Sequence, residues 1–236
     1  MLKLFQFVIF IIAFNKLFAF PPDVEKCRIN DEDCLVRSSN TVLRKYYNGI
    51  TEIDLQSLDP FMVDKIKVDH DYGVIQANGT IFNINLRGLS AATVEKFSGF
   101  DKNLLEIHFK VSEFHFKGFY SATGVVFGYS SHDNGIFTLN FYDFKAKLTI
   151  KLERYMRNDK EYFKTVGSDI SSTVRTGDLD ATTLSRALNW ILNKSFDLIL
   201  SCSMKSYVGD VWTEYYEKAI NAVLSKVPIE DLFIVD

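Results

Sequence analysis

Apolar and polar residues alternate with a period of two through the middle of the chain. The clearest runs cover residues 82–87, 105–111 and 142–151. Because successive side chains of a strand point to opposite faces, each run predicts a strand with one dry and one wet face. Long strands with clean alternation are typical of an antiparallel sheet that is covered on one side only.

The apolar parity changes inside two of these strands. Apolar residues are odd-numbered from 105 to 111, but Phe114 and Phe116 are even-numbered. In the same way, the odd-numbered series 137–141 gives way to an even-numbered series that begins at Tyr142. A change of phase inside a strand indicates a β-bulge, and bulges bend sheets. We therefore expect a highly curved sheet.

Turn signals are present in three short segments between or beside these runs. They are Asn78-Gly79, Asp133-Asn134-Gly135 and Asn158-Asp159. Asn, Asp and Gly are the residues that most readily adopt the positive φ of tight hairpin turns. The sequence therefore predicts a turn at each of these places.

A helix is predicted before the strands. Acidic side chains at Asp31, Glu32 and Asp33 suit the positive end of a helix, and apolar residues then recur at helical spacing from 35 to 47. Gly49 is expected to end this helix. Cys27 and Cys34 lie immediately before or inside this predicted helix, and they are close enough to bridge in an oxidising compartment.

The predicted disulfide closes a short loop, so its contribution to stability is only ~2 to 3 kcal/mol before strain is subtracted. We expect it to fix how the chain enters the first helix. The third cysteine, Cys202, has no neighbouring His or C-x-x-C partner. A buried, inert thiol is favoured there over a reactive one.

Helical spacing returns after the strands. Apolar residues recur at three- and four-residue steps over 184–199 and, after an interruption at Val208-Gly209, over 212–227 up to Pro228. A one-sided curved sheet must bury its concave face against another element. The predicted fold class is therefore α+β, with a long C-terminal helix, kinked or broken near Gly209, wrapped by a highly curved antiparallel β-sheet.

Residues 1–19 have the pattern of a secretory signal peptide. Lys3 supplies a positive start, 4–17 is almost wholly apolar, and Leu17-Phe18-Ala19 offers a tolerable cleavage site before Phe20. An uncleaved membrane anchor is the alternative, but polar residues interrupt the run and it is shorter than the ~20 apolar residues of a spanning helix. We expect a secreted protein in which residues 20–236 form a single domain.

The charge of the mature chain limits its partners. Removing the leader takes away Lys3 and Lys16 and no acidic residue, so the net charge moves from −3 to about −5. Nucleic-acid binding depends mainly on positive side chains that neutralise phosphates, and an acidic chain is poorly suited to this. It is equally poorly suited to an anionic membrane surface. We expect a monomer that binds no nucleic acid and does not insert stably into membranes.

The sequence lacks the motifs that are typical of catalysis and metal binding. Residues 128–132 bring Ser and His together, but the second glycine of a nucleophile elbow is missing. His108 and His115 have no metal-ligand spacing. Phosphate-binding and dinucleotide-binding loops are also absent from the sequence. We expect no catalysis, no metal and no cofactor; a secreted enzyme acting on lipids or esters remains the alternative.

Two acceptor sequences for N-glycosylation are present in the expected secreted chain. They begin at Asn78 and Asn193. Asn78 is favoured because it lies at a predicted turn, whereas Asn193 falls in a predicted helix.

Phenylalanine is concentrated in the strand region. Of 21 phenylalanines, five lie in the leader, and ten of the remaining 16 fall between Phe97 and Phe144. Such rings usually form an ordinary packed core. However, a sheet wrapped around one helix encloses an elongated apolar space, and incomplete filling would leave a tunnel for a long hydrophobic ligand. Composition does not decide between the two.

A series of short motifs runs in order along the mature chain: Cys27-Arg28-Ile29-Asn30-Asp31-Glu32-Asp33-Cys34, Tyr47-Asn48-Gly49-Ile50, Leu58-Asp59-Pro60, Gly88-Leu89-Ser90, Gly135-Ile136-Phe137, Asp143-Phe144-Lys145-Ala146, Leu188-Asn189-Trp190 and Ser225-Lys226-Val227-Pro228. Together they resemble the insect takeout and juvenile-hormone-binding protein family. The second disulfide of the haemolymph hormone carriers has no counterpart here, because Cys202 lacks a partner. The chain is therefore most similar to the takeout branch.

This resemblance implies a secreted carrier with a tubular lipid-binding fold and a short N-terminal helix clasped by a disulfide. It implies an apolar tunnel that holds a terpenoid such as juvenile hormone, a fatty-acid-like lipid or a quinone-like lipid, without cofactor or catalysis. Juvenile hormone itself is placed in doubt by the missing second disulfide. The family resemblance also implies roles in hormone, feeding, chemosensory or circadian physiology.

Strand parity and helix spacing select a set of candidate ligand-binding residues: Phe82, Ile84, Leu86, Leu105, Ile107, Phe109, Phe114, Phe116, Phe137, Leu139, Tyr142, Phe144, Trp212 and Tyr216. The hydroxyl of Tyr142 is the candidate for orienting a polar head group. A register error of one residue would turn a whole strand outside in. The alternative is an interaction module in which the concavity is filled and the working surface lies outside.

Overall fold

The computed structural model of the chain describes residues 21–72, 75–126, 129–182, 193 and 209–234. The predicted leader, Cys202 and, apart from Asn193, the first part of the predicted C-terminal helix lie outside the described residues. The predictions made for them remain predictions.

The described chain forms strands, α-helices and single-turn 3₁₀ helices. The strands are β1 (Cys27–Arg28), β2 (Phe61–Tyr72), β3 (Ile75–Arg87), β4 (Thr93–Ser98), β5 (Leu104–Val126), β6 (Tyr129–Arg157), β7 (Lys160–Thr173), β8 (Thr176–Ala181) and β9 (Phe233–Ile234). The α-helices are α1 (Glu32–Lys45), α2 (Gly209–Lys226) and α3 (Ile229–Leu232), and the 3₁₀ helices are Thr51–Ile53, Leu89–Ala91 and Phe100–Lys102. The α+β fold class with a curved antiparallel sheet and a C-terminal helix is confirmed.

The hairpin of β5 and β6 runs through the whole sheet. The two strands pair from Leu104 opposite Lys151 to Val126 opposite Tyr129. Along this hairpin the outer partners change, from β4 and β7 at one end to β3 and β8 at the other. We call the end with β4 and β7 the proximal half-sheet, and the end with β2, β3 and β8 the distal half-sheet.

The two half-sheets meet at a kink in the hairpin. Cross-strand pairing skips Ser112 and Asp143, but the register is the same on both sides of the gap. Asp143 has a φ of 52°, a left-handed conformation that Asp tolerates better than most residues. The buried side chains change parity there, for example from Val111 to Phe114 in β5. The predicted change of phase is confirmed, and its cause is a paired kink rather than a bulge in one strand.

A second kink lies in the distal half-sheet. Pairing of β2 with β3 skips Asp64 and Asn83, and Asn83 has a φ of 50°. Beyond it, Phe82 lies opposite Phe119, and the two rings stack with centroids 5.7 Å apart. Phe119 is 44% exposed, whereas the neighbouring Gly118 is buried. Phe82 therefore faces outward, and the parity prediction that it faces inward is wrong.

Tyr142 also lies on the outer face of the sheet. The kink at Asp143 leaves Phe141 as the buried residue, and the Tyr142 hydroxyl donates a hydrogen bond of 2.8 Å to Asp178. This hydrogen bond to a carboxylate raises the pKa of Tyr142. Asn140 donates to the same carboxylate at 2.8 Å. The prediction that Tyr142 faces inward is wrong because the strand gains one residue at the kink.

The predicted turns have different outcomes. Asn158 and Asp159, with φ of 52° and 60°, form the two-residue turn between β6 and β7, as predicted. Asn78 instead pairs with Asp69 inside β3, and Asp133 pairs with Ala122 inside β6, so the turn predictions at 78–79 and 133–135 are wrong. Backbone pairing overrides the local turn propensity in both places: Asn78 pairs with β2 and β5, and Asp133 pairs with β5.

The first helix begins as predicted and ends earlier than predicted. The side chain of Asp31 accepts a hydrogen bond of 3.0 Å from the backbone N–H of Cys34, which caps the helix. The helix ends at Lys45, and Gly49, with a φ of 92°, serves the following loop, where a Cβ would collide with the carbonyl oxygen of Leu55. The disulfide between Cys27 and Cys34 is present, with Cα atoms 5.6 Å apart.

The C-terminal helix α2 is tied to the edge strand β7 by polar contacts. Glu217 accepts hydrogen bonds from the hydroxyls of Thr165, at 3.2 Å, and Ser168, at 2.8 Å. The side-chain oxygen of Asn221 accepts a hydrogen bond of 3.2 Å from the backbone N–H of Thr165, next to a break in the β6–β7 register. The helix ends before Pro228, as predicted. These bonds hold α2 over the inner face of the proximal half-sheet.

The two ends of the described chain close this half of the molecule. Strand β1 pairs in parallel with β9, so that Cys27 lies opposite Phe233. The ring of Phe233 packs against Phe100 at 4.8 Å, and Phe100 packs in turn against Phe163 at 5.6 Å. Lys26 donates a hydrogen bond of 2.6 Å to the carbonyl oxygen of Glu230.

A charged cluster joins three strands on the outer face of the proximal half-sheet. Glu106 of β5 accepts hydrogen bonds from Lys96 of β4, at 2.7 Å, and from Lys147 of β6, at 2.5 Å. His108 lies 3.0 Å from the same carboxylate. The two lysines and the histidine lower the pKa of Glu106 from 4.5 to about 2.

Replacing Glu106 by Gln is expected to lower the free energy of unfolding near pH 5 and to have no effect near pH 2. The folded-state pKa of about 2 lies below the unfolded value of 4.5, so the stabilisation is complete above about pH 4.5 and is lost as the pH falls through about 2. Urea unfolding of both chains across this range measures the difference.

The control is Glu153→Gln, which breaks an exposed pair with Lys164 and is expected to have little effect at any of these pH values. A Glu106→Gln effect that stays constant down to about pH 2 would contradict the prediction.

Candidate functional site

An apolar cavity of about 240 Å³ lies between α1, α2 and the inner face of the proximal half-sheet. The helices contribute Leu35, Ser38, Ser39, Val42, Leu43, Tyr215, Tyr216, Ala219, Ile220, Val223 and Leu224. The strands and loops contribute Glu25, Cys27, Ile50, Leu55, Leu58, Leu89, Ala92, Val94, Phe97, Phe100, Leu105, Ile107, Phe109, Leu148, Leu232 and Phe233.

Small side chains explain why this space stays open. Ser38 and Ser39 on α1, Ala219 on α2 and Ala92 before β4 all line the cavity. Protein interiors are otherwise close-packed, and larger side chains at these positions would fill the volume. The open space is therefore a property of particular residues in the two helices and the loop that leads into β4.

Aromatic rings form the wall of the cavity nearest the kink. The ring of Phe109 lies 5.4 Å from that of Tyr216, and Tyr216 lies 5.2 Å from Tyr215. Tyr215 in turn packs on Phe61 of β2, with ring centroids 3.6 Å apart. Because α2 carries both tyrosines, its position sets the shape of this wall.

The interior of the cavity carries no net charge. Burial raises the pKa values of Tyr215 and Tyr216, and the nearby carboxylate of Asp59 adds to the rise at Tyr215. Both hydroxyls are buried and stay protonated at physiological pH. Glu25 is the carboxylate among the lining residues, and it lies at the exposed rim. Hydrogen bonds from Arg37, 3.0 and 3.1 Å long, lower the pKa of Glu25.

Helix α1 covers one side of the cavity and is fastened at its edges. The side-chain amide of Asn40 donates to the carbonyl oxygen of Val94 at 3.0 Å and accepts its N–H at 2.9 Å, as a neighbouring strand would. Lys45 pairs with Asp23 at 2.7 Å. The disulfide adds a covalent link at the first turn. Within α1, burial is confined to Cys34 and Leu35.

The structure brings four of the sequence-selected candidates together at the cavity: Leu105, Ile107, Phe109 and Tyr216. Others lie elsewhere on the inner face. Ile84, Leu86, Phe114, Phe137 and Phe144 are buried in the core, and Phe116 and Leu139 are half-buried against it. The side chain of Trp212 lies outside the described part of the structure. As ligand contacts, all of these residues remain predictions.

Several cavity residues were missed by the sequence reasoning. Val42 and Leu43 of α1 and Val94 and Phe97 of β4 all line the cavity. The helical spacing of apolar residues in α1 was the available signal for the first pair. Parity in the long strands favoured the distal half-sheet instead, because parity identifies a buried face and does not identify where that face is left uncovered.

The two glycosylation candidates have different surroundings. Asn78 is exposed in β3. Asn193 bonds through its side-chain amide to the backbone of Leu179, with an accepted bond of 2.8 Å and a donated bond of 2.7 Å. The amide nitrogen of Asn193 is therefore engaged, which favours Asn78 as the acceptor. Glycosylation itself remains a prediction.

Among the residues that the structure describes, no group of three or more His, Cys, Asp or Glu residues is arranged to hold a metal ion. No helix in that part of the chain combines the length and apolarity that a membrane crossing requires.

Comparison with known proteins covers nearly the whole chain. The profile of the family described as haemolymph juvenile hormone binding protein matches residues 4–234. The circadian clock-controlled protein daywake of Drosophila yakuba is 17% identical over 234 residues, covering 91% of this chain and 88% of the relative. Daywake of Drosophila melanogaster is 17% identical over 233 residues, with the same coverage.

A solved structure has the same fold. The crystal structure of Takeout 1 from Epiphyas postvittana superposes with a TM-score of 0.76 at 19% sequence identity, covering 90% of this chain and 100% of that chain. At this identity the likeness concerns the fold.

Replacing both Cys27 and Cys34 by Ser is expected to speed the release of a bound apolar probe more than it lowers the melting temperature. The short loop accounts for ~2 to 3 kcal/mol, which corresponds to a fall of about 5 to 10 °C. Because the bridge holds the first turn of α1 over the cavity, release of a fluorescent fatty acid is expected to be at least about tenfold faster. Stopped-flow displacement and thermal unfolding measure the two effects.

The matched control is Leu152→Ala, a cavity-forming change in a buried strand residue that does not line the cavity. It is expected to lower stability by about 2 to 5 kcal/mol and to leave release unchanged. A large fall in melting temperature with an unchanged release rate in the double Cys variant would show that the disulfide is structural only.

Proposed function

Because the chain belongs to the haemolymph juvenile hormone binding protein family, whose members are carriers of hydrophobic ligands, we propose that it is a secreted carrier that holds a lipophilic small molecule in the cavity under α1. The observation that carries the proposal is the uncharged apolar cavity itself. It supports a carrier over an interaction module with a filled core. The role assigned to the cavity is binding, without catalysis or cofactor.

The physical basis of binding is removal of apolar surface from water. An extended ligand gains ~25 cal/mol for each Å² that it buries, so a contact of ~300 Å² supplies ~7 kcal/mol before the entropy of association is subtracted. The protonated hydroxyls of Tyr215 and Tyr216 are polar groups that leave the interior neutral. The interior therefore suits an uncharged, slender hydrocarbon chain, and an ionised head group would have to stay outside it.

The ligand class that we propose is a terpenoid such as juvenile hormone, a fatty-acid-like lipid or a quinone-like lipid. Secretion would follow from cleavage of the predicted leader after residue 19. The relatives described as clock-controlled support a role in circadian physiology, with hormone, feeding and chemosensory functions as the related proposals. A monomer with one bound ligand is the expected active form.

Native mass spectrometry of the secreted recombinant chain tests the proposal directly. A co-purified lipid that dissociates on activation is the expected result, and its mass identifies the ligand class. A clean apo mass, together with no uptake of any hydrophobic probe, would exclude the carrier function.

Filling the cavity is expected to abolish binding without loss of stability. Ala219→Phe places a large ring in the space beside Tyr216, so the affinity for a fluorescent fatty-acid probe is expected to fall at least about tenfold, while the melting temperature stays the same or rises. Probe titration and thermal unfolding measure the two quantities. The control, Lys218→Phe, puts the same ring on the exposed side of α2 and is expected to bind normally. Normal binding by Ala219→Phe would place the ligand elsewhere.

A further inference from the structure

The outer face of the distal half-sheet carries an exposed apolar row. Phe82, Phe119 and Ile136 lie side by side on β3, β5 and β6, because each is the cross-strand partner of the next. The Phe82 and Phe119 rings stack at 5.7 Å with an angle of 17° between their planes. Phe119 is 44% exposed, and Met62, one row away on β2, is 52% exposed. We call these four residues the outer apolar patch.

Basic side chains flank the outer apolar patch on the side of β2, β3 and β5. Lys65 lies directly opposite Phe82 on β2, and Lys117 precedes Phe119 by two residues on the same face of β5. Lys67 and Arg87 continue this basic border along β2 and β3, and all four side chains are exposed. Within the described part of the chain, no ion pair is found for the three lysines. Asp64 and Asp69 of β2 border these basic side chains. On the β8 side, the exposed Asp180 lies opposite Thr138, which is the cross-strand partner of Lys117.

From this arrangement we infer that the outer apolar patch is a docking surface for an anionic phospholipid membrane. Aromatic and apolar side chains enter the boundary between headgroups and acyl chains, and lysines around them attract anionic headgroups. Lysine is depleted in protein–protein interfaces, so exposed phenylalanines bordered by lysines fit a lipid surface better than a protein partner. The positive side chains beside the patch favour anionic headgroups over neutral ones.

Net charge does not oppose this inference. The mature chain as a whole is acidic, with a formal charge of about −5 after removal of the two leader lysines, and a uniform acidic surface would be repelled by an anionic bilayer. A local basic patch on such a chain allows approach in one orientation only. Because the patch is on the outer face and the cavity is on the inner face of the other half-sheet, docking in this orientation leaves α1 uncovered.

The patch forms because the side chain of Phe82 points outward. Without the kink at Asn83, strand parity would place Phe82 inside, and Phe119 would lack its stacked partner. The kink therefore exposes an aromatic ring that the core does not use, a feature that marks an interaction site more often than scattered single apolar residues do.

Vesicle flotation with the intact disulfide-bonded chain tests the inference. The chain is produced in an oxidising host that does not glycosylate, because Asn78 points from the same face of β3, four residues from Phe82. Binding is expected to vesicles of phosphatidylcholine with about 30% phosphatidylserine, to weaken with added salt, and to be weak on phosphatidylcholine alone.

The double variant Lys65→Glu/Lys117→Glu is expected to bind at least about 30-fold more weakly than the parent, because each lysine near an anionic surface contributes about a fivefold gain. Phe119→Ser is expected to weaken binding at high and low salt alike, because it removes the inserted ring. Circular dichroism and uptake of the apolar probe are expected to be unchanged in both variants, which separates loss of docking from misfolding.

Two matched controls complete the experiment. Lys102→Glu/Lys151→Glu makes the same change of charge at exposed positions away from the patch, and Met156→Ser removes a side chain that is 66% exposed at the β6–β7 end. Both are expected to bind like the parent. No binding of the parent to anionic vesicles, or equal losses in the patch and control variants, would overturn the inference; the first result would leave an acidic protein surface as the remaining partner class.

Discussion

The constant register of the β5–β6 hairpin through its kink is the constraint on which the rest of the structure depends. Both strands gain one residue at Ser112 and Asp143, so the ladder continues unbroken in register while the inward side chains change parity together. A bulge in one strand alone would shift every pair beyond it. The paired kink instead bends the sheet and keeps one continuous inner face, with Phe114 and Phe144 buried on either side of the bend.

Curvature gives the two half-sheets different surroundings. In the proximal half, α1 and α2 lie over the inner face but present Ser38, Ser39 and Ala219 to it, so a cavity remains. Helix α1 is held there by Asn40, ion pairs and a disulfide at its edges rather than by a broad buried face. A cover fastened in this way is compatible with local opening, because few buried apolar contacts must be lost.

The polar chemistry of the molecule lies mainly on the outside of the sheet. Glu106 gathers two lysines and a histidine across three strands, and Asp178 collects the hydroxyl of Tyr142 and the amide of Asn140. The cavity, in contrast, holds protonated tyrosine hydroxyls and keeps Glu25 at its rim. This separation of charge from the interior is what a site for a neutral apolar ligand requires.

Sequence alone was sufficient for the fold class and for some of the elements: the amphipathic α1 with its disulfide, the alternating runs in β3, β5 and β6, the change of phase at 111–114 and the helix that ends before Pro228. These follow from local periodicity, which each segment carries within itself. The facing of Phe82 and Tyr142, the absence of turns at Asn78 and the choice of which apolar face stays uncovered were decided only by tertiary structure. The facing of Phe82 and Tyr142 depends on the exact position of a kink in their own strand, and the extended backbone at Asn78 depends on pairing with neighbouring strands. The open face depends on the size of side chains contributed by distant helices.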